Sequence, residues 1–193
     1  MLGHHPLPLV SVCVGAACLV AYAAPHRPLL FDPRRPASWL APTVEHAGPF
    51  HLLFNLFWLY ELAPGFEAAV SKQVGTLLGA SAADAAAAVA VAFLYAAVAL
   101  ASNAAQYAST GPHFLGLSGV VFGLVGFLAV AAPQALYPGT VRFFAGWFVL
   151  CVALTAVGLF PVANAAHGAG AAAGALLGWL LGGGGATGSG RSQ

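Results

Sequence analysis

His51 and Asn55 stand four residues apart in the apolar run Phe50–Leu62, so on a helix they share one face. Downstream, Ser118 follows Gly116-Leu117 and precedes Gly119, and His167 follows Ala165-Ala166. Each opens a further apolar run. A polar side chain in hydrocarbon is costly, so such groups in a membrane chain call for a reason. Acyl transfer needs a nucleophile, a base to take its proton and donors for an oxyanion. A serine, a histidine and an amide with a second histidine can supply these parts, which makes hydrolysis inside a membrane the simplest shared chemistry.

Each residue also has a plain structural reading. Ser118, where a loop turns into a helix, reads equally as an N-cap. Its chemical reading has glycine letting the backbone approach a carbonyl while the helix N-terminus offers free N–H groups to an oxyanion. The string is not the G-x-S-x-G elbow of soluble hydrolases, because Val120 fills the last position. His167 reads either as an interhelical hydrogen-bonding residue or as the base for Ser118. His51 and Asn55 read either as interhelical donors or as oxyanion donors, where one donor is typically worth about 3 kcal/mol.

No carboxylate is an obvious third member. Asp32 and Asp84 fall in loops, and Glu45, Glu61 and Glu67 fall around the second apolar run, so a Ser–His dyad is the economical proposal. Zinc proteolysis would want His-Glu-x-x-His, which is absent. No metal and no cofactor are expected. Cys13, Cys18 and Cys151 lie in apolar runs without disulfide or metal spacing and read as small packing residues.

These residues must be positioned by membrane helices. Only 6% of the 193 residues are charged, and none is charged between Ala85 and Val141 or between Phe143 and Gly190. A soluble domain carries about a quarter charged residues. Mean hydropathy is +0.86. The chain therefore reads as an all-α polytopic membrane protein, and a net charge of +1 without a basic block argues against nucleic acid as a partner.

At about 20 apolar residues per crossing, six spans are predicted, at 7–24, 50–69, 85–102, 118–132, 141–159 and 165–181. The fourth is short, which would start Ser118 below the membrane surface in a water-filled dip. Ala21-Tyr22-Ala23 resembles a signal-peptidase site, but the preceding His4 and His5 bring no Lys or Arg, so an uncleaved first helix is expected. The connection Pro25–Pro49, with its prolines, arginines and Trp39, is a candidate interfacial lid or a plain linker. Residues 182–193, rich in Gly and Ser, read as a disordered tail after one membrane domain over 1–181. Arg27, Arg34 and Arg35 tie with Lys72, Arg142 and Arg191, so charge does not orient the chain. Gly119 and Gly123, and then Gly170, Gly174, Gly178 and Gly182, repeat every four residues. Two such stripes can pack backbone to backbone, which would bring Ser118 near His167.

Taken in order, His51-Leu52-Leu53-Phe54-Asn55, Gly116-Leu117-Ser118-Gly119 and Ala166-His167 with Gly170 and Gly174 resemble the rhomboid family of intramembrane serine proteases. The likeness is to the bacterial six-helix form and runs from about Trp39 to Leu181. It implies Ser118 as nucleophile and His167 as base, with His51, Asn55 and the Ser118 N–H stabilising the oxyanion. Gly116, Gly119 and Gly170 belong to the same motifs. It further implies a structural or water-organising His46, a Glu67 that fixes the second helix, and a matching Asn164. Phe122 stands where relatives often carry a tyrosine stacked on the catalytic histidine. Trp39 is followed by Leu40 rather than Arg, and Glu61 and Pro64 are unusual. Inactive relatives lose the serine or the histidine; this chain keeps both.

The implied activity is cleavage of single-span membrane proteins near the bilayer surface, in the plasma membrane of a prokaryote, with the site opening to the non-cytoplasmic side. A catalytically silent protein that binds membrane helices is the competing class, and a small transporter is a second. The sequence does not give the oligomeric state.

Overall fold

The computed structural model describes residues 7–24, 30–79 and 83–182. Among them run seven α-helices: α1 (Leu9–Ala23), α2 (Ala41–Val44), α3 (Pro49–Leu78), α4 (Ala83–Thr110), α5 (Ser118–Ala131), α6 (Thr140–Ala156) and α7 (Asn164–Gly182). Six are long, and α2 is a single turn within the first connection, where apolar periodicity alone predicts no helix. Residues 1–6, with His4 and His5, lie outside the described residues. Gly182 closes α7, while the rest of the expected tail, 183–193, also lies outside them.

The helices overrun the predicted spans where polar residues had suggested an end. The predicted second span stops at residue 69, yet α3 continues through Lys72 to Leu78. The third stops at 102, yet α4 carries Ser102, Asn103 and Gln106 on to Thr110. Lys72 reaches solvent, and Asn103 and Gln106 find partners near the end of α4, so polarity does not stop either helix. Pro64 sits inside α3 and removes one backbone donor, a loss that neighbouring helices in a bundle can absorb. Asp84 in the first turn of α4 suits the positive end of that helix.

The α5 helix lies at the centre, with nearly every residue from Gly119 to Leu128 buried. Phe66 and Tyr95 close over it from α3 and α4, Phe66 meeting Phe127 edge-on at 4.9 Å. On the outside the large apolar side chains face away from the bundle, as with Val12, Phe57, Val89, Phe93, Val149 and Leu176. By length and apolarity taken singly, Asp84–Thr110 and Asn164–Gly182 are each sufficient to cross a membrane. The α5 helix, with 14 residues, spans only about 21 Å of a core about 30 Å thick.

The glycine stripes meet. A Cβ on Gly170 would strike the Gly119 carbonyl, and one on Gly174 the Gly123 carbonyl. On Gly178 it would lie 2.7 Å from the Phe127 carbonyl oxygen. Backbone therefore lies on backbone along the whole of α5 and α7. By contrast α6 reaches α3 through aromatic rings, Trp147 against Phe54 at 5.2 Å and Phe144 against Trp58 at 4.7 Å.

Candidate active site

Ser118 is the first residue of α5, and Leu117 holds the cap position without any side-chain cap bond. The N-cap reading of Ser118 is therefore corrected: its hydroxyl turns away from its own helix. Ser118 Oγ lies 2.8 Å from His167 Nε2, across the α5–α7 contact. His167, in the first turn of α7, is buried, while Ser118 keeps partial access. The contact exists because glycine at 119 and 170 lets the two helix openings approach.

The His167 ring is held on its face and from its helix. Phe122, one turn beyond Ser118, stacks on it with centroids 4.4 Å apart and planes at 14°. Gln106 of α4 accepts a hydrogen bond from the Ala166 N–H at 3.0 Å, satisfying one of the free amides in the first turn of α7. The Gln106 amide in turn donates to Thr110 Oγ1 at 2.9 Å. His167 Nδ1 is buried without a partner, so the pair has no third member among the described residues.

The His51 ring packs on Gly116, two residues before Ser118. A Cβ on Gly116 would lie 2.6 Å from His51 Cε1, and its φ of +124° also favours glycine. The Gly116 N–H donates to the Pro42 carbonyl at 2.8 Å, which ties this loop to α2. His51 Nδ1 accepts from the Ala47 N–H at 3.4 Å, leaving Nε2 to carry the ring proton on the side facing Gly116. Asn55, 1% exposed, donates from Nδ2 to the His51 carbonyl at 2.8 Å. The second Nδ2 hydrogen remains, and Oδ1 is buried without a partner among the described residues. The Ser118 N–H, at the start of its helix, also has no acceptor among the described residues.

His46 lies just before α3, with Nδ1 at 3.1 Å from the Val44 carbonyl and its ring 5.1 Å from that of His51. Burial first, and then the neighbouring His51, push its imidazole down to about 4, against smaller opposing pulls from the Val44 carbonyl and Glu45. It is neutral at neutral pH. The structure thus gathers Ser118, His167, Phe122, Gly116, Gly119 and Gly170 at one point, with His51 and His46 in contact alongside and Asn55 one turn down α3.

Polar residues that sequence reasoning passed over support this arrangement. Gln106 holds the start of α7. Asn103 donates to the Trp39 carbonyl at 2.8 Å and to Thr43 Oγ1 at 3.0 Å, pinning the first connection to α4. Ser102 is buried against Gly119 and Gly170, and its hydroxyl has no partner among the described residues. Their one signal is regular spacing: 102, 103 and 106 share adjoining faces at the polar end of an otherwise apolar helix. Asn164 donates to Thr155 Oγ1 at 2.9 Å, joining α7 to α6. Glu61 is half-buried and has no hydrogen-bond or ion-pair partner among the described residues.

The geometry is that of a helical membrane bundle with a paired serine and histidine at the openings of two close-packed helices. A family model of the rhomboid domain matches residues 33–184. That stretch is well over half of the chain, which belongs to the rhomboid family, and with its apolar helices it is an integral membrane protein. Comparison with curated proteins gives no match.

Proposed function

We propose that the chain is an intramembrane serine endopeptidase that cleaves single-span membrane proteins near the bilayer surface. One observation carries the reading: Ser118 Oγ and His167 Nε2 stand at 2.8 Å in a half-buried site. In the proposed reaction Ser118 Oγ attacks the scissile carbonyl carbon as its proton passes to His167 Nε2. The oxyanion takes hydrogen bonds from the Ser118 N–H, His51 Nε2–H and the second Asn55 amide hydrogen. His167 then returns the proton to the leaving amine, and water attacks the acyl–serine ester by the same route in reverse.

The imidazolium formed in the first step has no carboxylate beside it among the described residues. The Phe122 ring face is its nearest compensation, a cation–π contact of about 0.5–2 kcal/mol. His46 and the three motif glycines are positioning residues in this scheme. On this reading the protein lies in a prokaryotic plasma membrane with the site opening to the non-cytoplasmic side, a location that the family resemblance supports.

The test is labelling of purified protein by a fluorophosphonate probe, paired with cleavage of a transmembrane-helix peptide. Wild type is expected to label and cut, while Ser118→Ala and His167→Ala do neither. A folded wild type that neither labels nor cuts would point to the helix-binding class. Solute flux that survives Ser118→Ala would point to a transporter.

A further inference from the structure

Two polar groups on one face of α3 go unmet. Trp58 Nε1 is buried, and its N–H has no acceptor among the described residues. Glu61, three residues on, is half-buried, and its carboxylate has no partner there either. Trp58 packs on Phe143 at 5.1 Å and on Phe144 at 4.7 Å, both in the first turns of α6. Gly65, one turn beyond Glu61, meets Ala135 of the connection that leads into α6. Glu61 therefore lies between two points where α3 faces the start of α6. Among the described residues that face is closed by rings, and no hydrogen bond joins α3 to α6.

Glu61 sits near the middle of α3, ten residues from His51 and eleven from Lys72. An ionisable side chain at such a depth marks a place for a partner. The indole beside it decides which partner. A cation would satisfy the carboxylate and leave the Trp58 N–H without an acceptor. A carboxamide answers both groups, its oxygen accepting from Trp58 Nε1 and its NH₂ donating to Glu61. Being neutral, it also enters hydrocarbon at less cost than an ammonium or guanidinium group.

We propose that Trp58 and Glu61 determine substrate specificity by binding the side-chain amide of an Asn or Gln within the substrate's membrane helix. The inference rests on the endopeptidase reading and names the substrate class for the same site. A substrate whose scissile carbonyl lies at Ser118 and Asn55 continues into the membrane beside α3. Glu61 is six residues beyond Asn55, about 9 Å deeper along the helix. That depth places the amide about three residues from the cut in an extended segment, or about six in a helical one. Parting α6 from α3 to admit the helix exchanges ring contacts for ring contacts, and the amide then adds two hydrogen bonds.

The test is cleavage of a set of leucine-rich transmembrane peptides, identical around the cut, in which one Gln or one Lys is walked along the helix. Wild type is expected to favour Gln over Leu at the matching depth roughly tenfold in kcat/KM, through KM, the scale of two hydrogen bonds in a membrane. Glu61→Leu should abolish the preference and Trp58→Phe reduce it, while Tyr60→Phe, on the exposed face of α3, leaves it intact. Ser118→Ala, which binds without cutting, gives the same comparison by fluorescence anisotropy. A wild type that cuts Gln and Leu peptides equally would overturn the proposal and leave the endopeptidase reading standing. A preference that survives Glu61→Leu would also overturn it, because the amide then acts on the substrate helix alone. A larger gain from Lys than from Gln would overturn the carboxamide assignment. Loss of all cleavage with the anisotropy preference intact would count against the endopeptidase reading and support the amide site.

Discussion

His167 meets Ser118 through Nε2 and its Nδ1 has no partner among the described residues, so its orientation depends on packing and on the start of its helix. Gln106 supplies the latter. Replacing it with leucine leaves the Ala166 N–H buried without an acceptor, which costs about 1–3 kcal/mol. Gln106→Leu is expected to lower the melting temperature and to reduce turnover of a helical peptide, whereas Gln106→Glu, which keeps the acceptor, restores much of the stability. Thermal unfolding in detergent with parallel cleavage assays checks both. His46 gives a pH dependence. Its folded value near 4 lies below its usual 6.5, so the unfolded chain takes up the proton first. Stability is full above about 6.5 and falls as pH drops from there toward 4. Melting curves across that window should show the decline, and His46→Gln should make it shallower.

The glycines of α5 and α7 act as a unit. They remove the side chains that would hold the helices apart, and the approach they allow is what closes the Ser118–His167 distance. A single methyl is enough to test this. Gly174→Ala places a Cβ against the Gly123 carbonyl, backbone that has no room to yield, and overpacking of this kind costs about 1–3 kcal/mol. Gly146 in α6 has nothing within 4 Å of the same position, so Gly146→Ala is expected to be neutral or to gain up to about 1 kcal/mol of helix propensity. Opposite signs in melting temperature, with activity lost only in Gly174→Ala, are the expected result. The glycine periodicity was legible in the sequence; that the two stripes face each other was an inference from spacing, and the carbonyl contacts now settle it.

Across the whole bundle, α1 is held by a polar contact at its first turn. Ser11 donates to Glu67 Oε1 from its amide at 2.7 Å and from its hydroxyl at 2.6 Å, and its oxygen lies 2.7 Å from the Tyr95 hydroxyl. Three helices meet in this one network, far in sequence from Ser118. Removing Glu67 leaves Ser11 and Tyr95 with fewer partners in an apolar interior. Glu67→Ala is expected to destabilise the bundle by about 2–3 kcal/mol, and Glu67→Gln, which keeps an acceptor, by less. Faster hydrogen exchange confined to α1 and its neighbours would separate local loosening from global unfolding.

The sequence by itself determined the helical membrane class, because a charge-free run of that length has no soluble alternative. It also singled out Ser118, His167, His51 and Asn55, since a polar group within an apolar stretch is conspicuous. It did not reveal Gln106, Asn103 or Ser11, which look like ordinary residues near helix ends until a partner some 55 to 85 positions away meets them. Nor did it determine that Ser118 leaves the capping role to the backbone and turns to His167, or that α3 and α4 run on past their polar residues. Those outcomes depend on which groups lie across each interface. Hydrogen-bond satisfaction in a membrane interior is a property of neighbours in space, and only the tertiary structure supplies them.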